Sequence, residues 1–353
     1  MGKFAVFSGF LGSGKTTAMM ALTRYCTEHY GKAAMISNDM GRGVTLADHR
    51  LAKLSGLNAA EITEDCICYR KEDLAKRLEA YDREGCVLVL SDIPGFGVGA
   101  LEHVYHGLEK LYPGRFQLAP FTVLVEPRTV EALGRGGEED LLYLCRAQLL
   151  EADLILLNKC DLLTASERDF ALAWLREQYP EAEVLPLSAR TGEGLEDLAR
   201  ALLRGKASMR RAKIDYKNPA YRAAMGSLSE YYLQYVGTVC CNDFDGDAYL
   251  LTLAERVRER VRSAGGEIPH MKFLAWEPEG DFGKVDLLGT DRPIEVTRRF
   301  TRPCVSLAVV LNASAACPQK TLDSLVTETV EQVSDEFQLE LMIHKRDCFG
   351  MGA

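Results

Sequence analysis

A glycine-rich segment near the start of the chain has the composition and spacing of a phosphate-binding loop. It reads GFLGSGKTT, follows the apolar run KFAVFS, and satisfies G-x-x-x-x-G-K-[ST] at Gly9, Gly14, Lys15 and Thr16. Glycines allow backbone N–H groups to converge on phosphate oxygens, and the start of the following helix adds its positive end. Lys15 would reach the β- and γ-phosphate oxygens, and the Thr16 hydroxyl would ligate Mg²⁺. The residues predicted to contact the nucleotide here are Gly12, Ser13, Gly14, Lys15, Thr16 and Thr17.

A second motif indicates which base the nucleotide carries. NKCD, from Asn158 to Asp161, ends another apolar run, where a base-reading loop is expected. The Asp161 carboxylate can accept two hydrogen bonds from guanine N1 and N2, which adenine does not offer. Asn158 and Lys159 would brace the loop and cover the ring, and Ser188 and Ala189 in LPLSARTGEG would supply backbone near guanine O6. Together these segments favour GTP over ATP.

Two acidic positions are candidates for the magnesium site and for hydrolysis. Asp39, in SNDMGRG, would hold Mg²⁺ directly or through water, or orient the attacking water; an ordinary cap or turn is the alternative. Asp92, in VLVLSDIPGFG, is the Walker-B-type candidate, and the Gly95 amide would sense the γ-phosphate. The predicted catalytic set is therefore Lys15, Asp39, Asp92 and Gly95, and the predicted Mg²⁺ ligands are Thr16, Asp39 and Asp92. No residue identifies itself as a water-activating base, so we expect slow hydrolysis that a partner or dimerisation accelerates.

A pair of thiols, Cys66 and Cys68, lies one residue apart in EDCICYR. Zn²⁺ and Co²⁺ prefer four ligands in a near-tetrahedral array, and two thiolates fill half of it. Glu64, Asp65, a water or thiols of a second subunit would have to supply the rest. Metal binding, redox chemistry and no chemistry at all are the three interpretations, and a structural C-x-C disulfide is disfavoured because it would be strained.

Two histidines, His103 and His106, lie three residues apart in LEHVYHGLEKLY. On a helix this spacing puts both imidazoles on one face. They would complete a metal site with the thiols if a conformational change brought them together. An ordinary surface helix is the alternative.

The order of apolar runs predicts how these motifs are positioned. Short buried strands are expected at residues 3–8, 33–37, 87–91, 121–125, 154–158 and 184–187, with helix-length segments between them. This alternation predicts an α/β fold, a P-loop NTPase parallel sheet with helices on both faces and its site at the carboxyl ends of the strands. The basic stretch 206–222 is interpreted as a linker. Beyond it a β-α-β-β-α-β order, with GKVDLLG as an inserted hairpin strand, predicts a smaller α+β ferredoxin-like domain. The expected domains are thus 1–205, a P-loop GTPase domain, and 223–353.

Charge and composition limit the partners and the cellular location that this protein can have. The formal net charge of -9 and the pI near 5.4 argue against nucleic acid or an anionic membrane as the main partner. No run approaches about 18 apolar residues, and MGKFAVFSGF lacks the features of a signal peptide. Eleven cysteines, an odd number scattered through apolar runs, are typical of reduced core thiols. A cytoplasmic location is expected.

Taken jointly, these motifs resemble the CobW branch of the SIMIBI class of P-loop GTPases, whose relatives include UreG and HypB. The resemblance rests on SGFLGSGKTT, on SNDMGRGVTLAD beside the family's N-E-x-G-x-x-x-x-D, on NKCD, and on DIPG where the family has E-[ST]-[ST]-G. FDGDAYLLTLAERV and a following strand with Lys272 resemble the CobW C-terminal domain more loosely. The family's G-C-x-C-C motif corresponds to DCICY, where Cys66 and Cys68 match, Asp65 replaces the glycine and Tyr69 replaces the third cysteine.

The resemblance implies GTP-dependent delivery of a metal or corrinoid cofactor to a client protein, with Zn²⁺ or Co²⁺ at the Cys66/Cys68 pair and a nucleotide-linked homodimer. Two other hypotheses stay open. One is a protein-interaction switch that gates cofactor entry into a client enzyme without carrying metal itself, which the missing third cysteine favours. The other is an ATP-dependent small-molecule kinase, for which Asp161 would be incidental.

Overall fold

The computed structural model describes residues 2–44, 46–136, 140–212, 214–240 and 242–352. Its strands are β1 (Lys3–Ser8), β2 (Ala33–Asn38), β3 (Ala59–Ile62), β4 (Leu88–Asp92), β5 (Gln117–Leu118), β6 (Thr122–Val125), β7 (Leu154–Leu157), β8 (Glu183–Pro186), β9 (Leu228–Val239), β10 (Glu267–Trp276), β11 (Phe282–Leu287), β12 (Glu295–Arg298), β13 (Ser306–Ala316) and β14 (Leu339–Gly350). Its α-helices are α1 (Lys15–His29), α2 (Ala47–Leu54), α3 (Lys71–Arg83), α4 (Gly107–Leu111), α5 (Pro127–Gly134), α6 (Asp140–Glu151), α7 (Ala165–Gln178), α8 (Leu195–Arg204), α9 (Pro219–Ser227), α10 (Gly246–Ser263) and α11 (Gln319–Glu336). A π-helical segment at Leu101–His106 runs into α4, and a 3-10 turn occupies Cys160–Leu162.

The chain divides into two compact units. The first comprises Met1–Met40 and Ser55–Ala224, and the second comprises Gly41–Leu54 and Met225–Ala353. The short segment 41–54 therefore leaves the first unit immediately after β2 and groups with the C-terminal half. Nothing in the local sequence pattern indicated this excursion.

The first unit is built on a parallel sheet. Its strand order is β3-β2-β4-β1-β6-β7-β8, with the short β5 beside β1. Side chains of β1 alternate between the two faces: Phe4 and Val6 join a core cluster that includes Leu78 of α3, Leu149 of α6 and Leu172 of α7. On the other face α1 and α8 contact each other and the sheet. This confirms the predicted parallel sheet with helices on both faces.

The six predicted strands are all present in this sheet, but β3 and β5 were not predicted. The β3 sequence, AAEI, is short, has Ile62 as its single strong β-former and shows no clear alternation. It is added to the edge of the sheet by pairing in parallel with β2. Helix α7 begins at a capping box formed by Thr164 and Glu167.

The stretch predicted to be a linker lies against the first unit. The backbone N–H of Ala207 donates to the carbonyl of Leu118 at 3.1 Å, and the Tyr143 hydroxyl donates to the carbonyl of Asp215 at 2.8 Å. These contacts group residues up to Ala224 with the parallel sheet.

The second unit is an antiparallel sheet of order β12-β11-β10-β13-β9-β14. Its strands β10, β13, β9 and β14 confirm the predicted β-α-β-β-α-β order, because β9 and β10 flank β13 and the edge strand β14 pairs with β9. Helices α10 and α11 contact each other, and their apolar residues share a core cluster with the sheet. The predicted hairpin strand is β11, whereas its edge partner β12 was not predicted.

The segment 41–54 belongs to this second unit through specific contacts. Leu46 packs with Tyr232 of β9. The Ala47 N–H donates to Asn312 Oδ1 at 2.9 Å, and Asp48 pairs with Lys272 of β10 at 2.5 Å. Among the residues described, no helix combines the length and apolar character needed to cross a bilayer.

Candidate functional site

The phosphate loop connects β1 to α1 at the carboxyl edge of the parallel sheet. Gly9, Gly12 and Gly14 have φ values of 134°, 78° and 91°, in the region that favours glycine. A Cβ on Gly14 would lie 2.4 Å from Asn158 Nδ2, so a side chain there is also sterically excluded. Lys15 Nζ donates to the Gly9 carbonyl at 2.6 Å and so folds back over the loop. Its position agrees with a role at the phosphates.

The hydroxyl residues of the motif begin helix α1. Thr16 is half-buried and Thr17 is exposed. The N-cap residue is Gly14, which has no side chain to bond the first N–H groups of α1, and these groups face the loop as an anion site requires.

The base loop is joined to the phosphate loop by Asn158. Its Nδ2 donates to the Ser13 carbonyl at 2.8 Å, and its Oδ1 accepts from the Ala189 N–H at 3.1 Å. Lys159, with φ of 62°, pairs with the buried Glu126 at 2.7 Å. The structure therefore brings together the three segments that the sequence predicted to surround one nucleotide.

Asp161 is held ready to accept hydrogen bonds. Its Oδ1 accepts from the Ser188 hydroxyl at 2.6 Å, and its Oδ2 pairs with the exposed Arg190 at 2.5 Å. Burial acts to raise the pKa of Asp161, but the hydrogen bonds from Ser188 and Arg190 outweigh it and lower the pKa. Asp161 is thus an ionised acceptor at neutral pH, as guanine recognition requires.

Asp92 and Gly95 follow β4 on the same edge of the sheet. Asp92 is buried, and its Oδ1 accepts from the backbone N–H of Asn38 at 2.9 Å. A Cβ on Gly95 would lie 2.5 Å from Leu11 Cδ2 and 3.1 Å from the Leu11 nitrogen. The Gly95 backbone therefore lies directly against the phosphate loop.

Asp39 makes the local contact typical of a turn. Its Oδ1 accepts from the N–H of Met40 at 2.8 Å, and its own N–H donates to the Ile62 carbonyl at 3.4 Å. Asp39 is thus near the point where the chain departs for the second unit. Its role at Mg²⁺ stays a prediction.

Asn38, which the sequence analysis did not single out, connects Asp92 to the thiol segment. Besides its N–H bond to Asp92, its Nδ2 donates to the carbonyls of Ile62 and Asp65, both at 3.0 Å. Its Oδ1 accepts from the N–H of Ile67 at 3.0 Å. The only signal in the sequence is an amide residue closing a buried strand, and its partners could not be inferred without the pairing of β2 with β3 and β4.

The two thiols meet in a tight turn. Cys66 and Cys68 are free cysteines, and Cys66 Sγ contacts Cys68 Sγ at 2.8 Å and accepts from the Cys68 N–H at 3.3 Å. The hydrogen bond with Cys66 and burial both raise the pKa of the Cys68 thiol. Tyr69, in the place of the third cysteine, has 72% of its surface exposed. A metal at this pair would first have to displace a proton from a buried thiol.

The histidines have other neighbours. His106 Nε2 lies 3.3 Å from the Arg210 carbonyl, and His103 Nε2 would lie 3.2 Å from a Cβ on Gly99. Within the described ranges, no group of three or more His, Cys, Asp or Glu side chains is arranged to hold a metal ion. In this conformation His103 and His106 therefore do not complete a metal site with the thiols.

The fold and the loops at its carboxyl edge define a P-loop nucleotide-binding protein. Residues 3–186 match the family model described as CobW/HypB/UreG, nucleotide-binding domain, and the chain belongs to this family. The resemblance drawn from the motifs is thereby confirmed.

Individual relatives cover parts of the chain. Hydrogenase maturation factor HypB of Azotobacter vinelandii is 29% identical over 214 residues, covering 60% of this chain and 63% of that protein. GTPase Obg of Rubrobacter xylanophilus is 36% identical over 140 residues, covering 38% of this chain and 31% of that protein. The chain thus covers less than two thirds of the length of either relative. The crystal structure of Zn(II)-bound YjiA GTPase from E. coli is 15% identical with a TM-score of 0.38, covering 93% of this chain and 98% of that one.

Proposed function

We propose that this protein binds and hydrolyses GTP and couples its nucleotide state to the delivery of a metal or corrinoid cofactor to a client protein. The observation that carries the proposal is Asn38, which joins the buried Asp92 to the backbone on both sides of Cys66. A change at the nucleotide would reach the thiols through two hydrogen-bonded steps. The similarity to a hydrogenase maturation factor supports a client protein that receives such a cofactor.

GTP is the proposed nucleotide because of the base loop. Asp161 is ionised and fixed beside Ser188, and Asn158 ties this loop to the phosphate loop at Ser13. An ionised carboxylate accepts from both guanine N1 and N2, whereas adenine presents no matching pair of donors. The ATP-dependent kinase hypothesis is disfavoured for this reason.

The residues at the sheet edge fit a magnesium ion. Mg²⁺ prefers hard oxygen ligands and usually binds through one or two carboxylates together with substrate phosphates. The Thr16 hydroxyl and the Asp92 carboxylate supply such oxygens, and Asp39 is a further candidate. When bound, Mg²⁺ would neutralise charge on the β- and γ-phosphates. Lys15 would contribute a fixed positive charge, and the Gly95 amide would donate to the γ-phosphate.

Metal titration in defined nucleotide states tests the coupling. Co²⁺ binding to thiolates would be followed by its absorption in nucleotide-free, GDP-bound and GTP-analogue-bound protein, with Mg²⁺ present. We expect the Co²⁺ affinities of the GDP and GTP-analogue forms to differ by about tenfold, a ratio that corresponds to a typical coupling free energy between two sites. Equal affinities in all three states would remove the basis of the proposal.

Cysteine variants supply the controls for this titration. Cys66→Ser with Cys68→Ser should abolish the thiolate absorption. Cys240→Ser, which changes an exposed cysteine of the second unit, should leave it intact. Loss of the signal in Cys240→Ser would place the bound metal elsewhere.

A second function, an interaction switch that carries no metal, is favoured by the raised pKa of Cys68. The hydrogen bond with Cys66 and burial make the Cys68 thiol harder to deprotonate, and a thiol has to lose its proton before it can bind a metal. Client activation by the Cys66→Ser, Cys68→Ser double variant decides between the two functions. Full activation supports the switch, and lost activation supports the metal carrier. The homodimer and the cytoplasmic location stay predictions.

A further inference from the structure

Helix α6 directs two buried polar side chains at the loop that follows β4. Gln148 and Glu151 lie three residues apart, which places them on one helical face. They expose only 1% and 2% of their surface. Side chains of this kind are rarely buried unless they are fully hydrogen-bonded, so their partners identify their purpose.

Those partners are backbone groups at every second position of the loop. Gln148 Nε2 donates to the carbonyls of Gly95 and Gly97, both at 2.9 Å. The Glu151 carboxylate accepts from the N–H groups of Gly99 and Leu101 at 2.6 and 2.9 Å. The amide nitrogen of Gln148 meets carbonyl acceptors and the carboxylate of Glu151 meets N–H donors, so the pair matches the loop in polarity as well as in spacing.

Both ends of this loop matter to the nucleotide site. At one end Gly95 lies against Leu11 of the phosphate loop. At the other end Leu101 begins the π-helical segment Leu101–His106. Such segments occur often at functional sites, and here the irregular backbone is anchored by Glu151.

Gln148 also faces the phosphate loop. Its Oε1 and the Ser13 hydroxyl are both buried and have no hydrogen-bond partner among the described residues. The two side chains line the same cavity of about 10 Å³. That volume accommodates roughly one water molecule, and such a water would satisfy both atoms.

We propose that Gln148 and Glu151 are positioning residues that hold loop 95–101 against the phosphate loop, with one buried water linking Gln148 to Ser13. The proposal rests on the proposed GTPase function. The two side chains form a clamp that holds the Gly95 amide in advance at the place where a γ-phosphate arrives. The protein therefore does not have to order the loop when GTP binds. GDP has no γ-phosphate and gains nothing from this arrangement. The clamp therefore contributes to the preference for GTP over GDP and to turnover.

Two variants of the full chain test the clamp. Gln148→Met removes both donors to the loop and keeps the side-chain length. Glu151→Gln turns an amide group toward two backbone N–H groups that need acceptors. For each variant the Kd for GDP, the Kd for a non-hydrolysable GTP analogue, and kcat and KM for GTP would be measured.

We expect the GTP-analogue affinity and kcat to fall about tenfold and KM for GTP to rise, as the loss of one to two buried hydrogen bonds predicts. The GDP affinity should stay within about twofold, because GDP does not reach the loop. Leu150→Gln, at an exposed position of the same helix, is the control and should match the wild type in every constant.

Three results would overturn the clamp. Equal losses for GDP and the GTP analogue would show a general structural role, and unchanged constants in folded variants would show none. If thermal unfolding shows that Glu151→Gln is not folded, the test rests on Gln148→Met alone. A wild-type chain that binds no GTP overturns the proposed function together with the clamp, so the two failures are distinguishable.

The water bridge has its own readout. Ser13→Ala and Gln148→Met should each lower the ratio of GTP-analogue to GDP affinity. Because the bridge joins the two side chains, their effects on this ratio should not add in the double variant. Strict additivity would remove the water from the proposal.

Discussion

Replacing Asn38 with alanine should loosen the thiol segment without removing any of its residues. The change deletes three side-chain hydrogen bonds, to Ile62, Asp65 and Ile67, and leaves the backbone bond to Asp92 intact. At about 1 kcal/mol net for each buried bond, the loss is roughly 3 kcal/mol of local stability. If the loss of stability is confined to the thiol segment, this segment opens on the order of 100-fold more often.

Hydrogen exchange at the Ile67 amide measures this opening directly, because that amide is the donor to Asn38 Oδ1. We expect its exchange to accelerate on the order of 100-fold, while amides of β4 change little. Asn58→Ala is the matched control, because the Asn58 side chain bonds Glu84 rather than the thiol segment. The difference in Co²⁺ affinity between the GDP and GTP-analogue forms should also shrink in Asn38→Ala.

Two outcomes would refute the reasoning. An unchanged rate at Ile67 would mean that Asn38 does not hold the segment in solution. Uniform acceleration across the parallel sheet would mean that the variant destabilises the whole unit, and the coupling through Asn38 would then have no local support.

Three further predictions concern the nucleotide site and α6. Asp161→Asn should reduce the preference for GTP over ATP by on the order of 100-fold, measured as the ratio of Kd values, because two charge-assisted bonds to guanine are weakened; an unchanged ratio would exclude Asp161 from base recognition. Gly14→Ala should abolish GTP binding in calorimetry, since its Cβ would lie 2.4 Å from Asn158 Nδ2; normal binding would contradict the loop geometry. Burial raises the pKa of Glu151 to about 7, against opposing hydrogen bonds from Gly99 and Leu101. The stability contributed by this raised pKa is therefore present at low pH and is lost as pH rises through about 7. The thermal midpoint of the wild type should accordingly fall relative to Glu151→Gln between about pH 5 and 8, and a relative rise would contradict this sign.

Local motifs were readable because their chemistry is contained in a few adjacent residues. The phosphate loop needs glycines at positive φ, a lysine and a hydroxyl in a fixed order, and the structure has Gly9, Gly12 and Gly14 in that region. NKCD was readable because its amide, lysine and carboxylate stand at a fixed spacing, although Asn158 contacts Ser13, 145 positions away. The parallel sheet followed from the alternation of buried runs with helices, whereas β3 escaped notice because pairing with β2, rather than its own composition, makes it a strand.

By itself, the sequence determined the class of fold and the position of the nucleotide loops. It also showed a thiol pair that has one cysteine fewer than the motif of the family it resembles. Only the tertiary structure decided which of these features touch. Asn38 reaches Asp92 across 54 positions and Ile67 across 29, and Gln148 reaches Gly95 across 53. The segment 41–54 likewise joined the second unit through partners more than 180 residues away. Such contacts depend on strand order and helix placement, which periodicity along the chain does not encode.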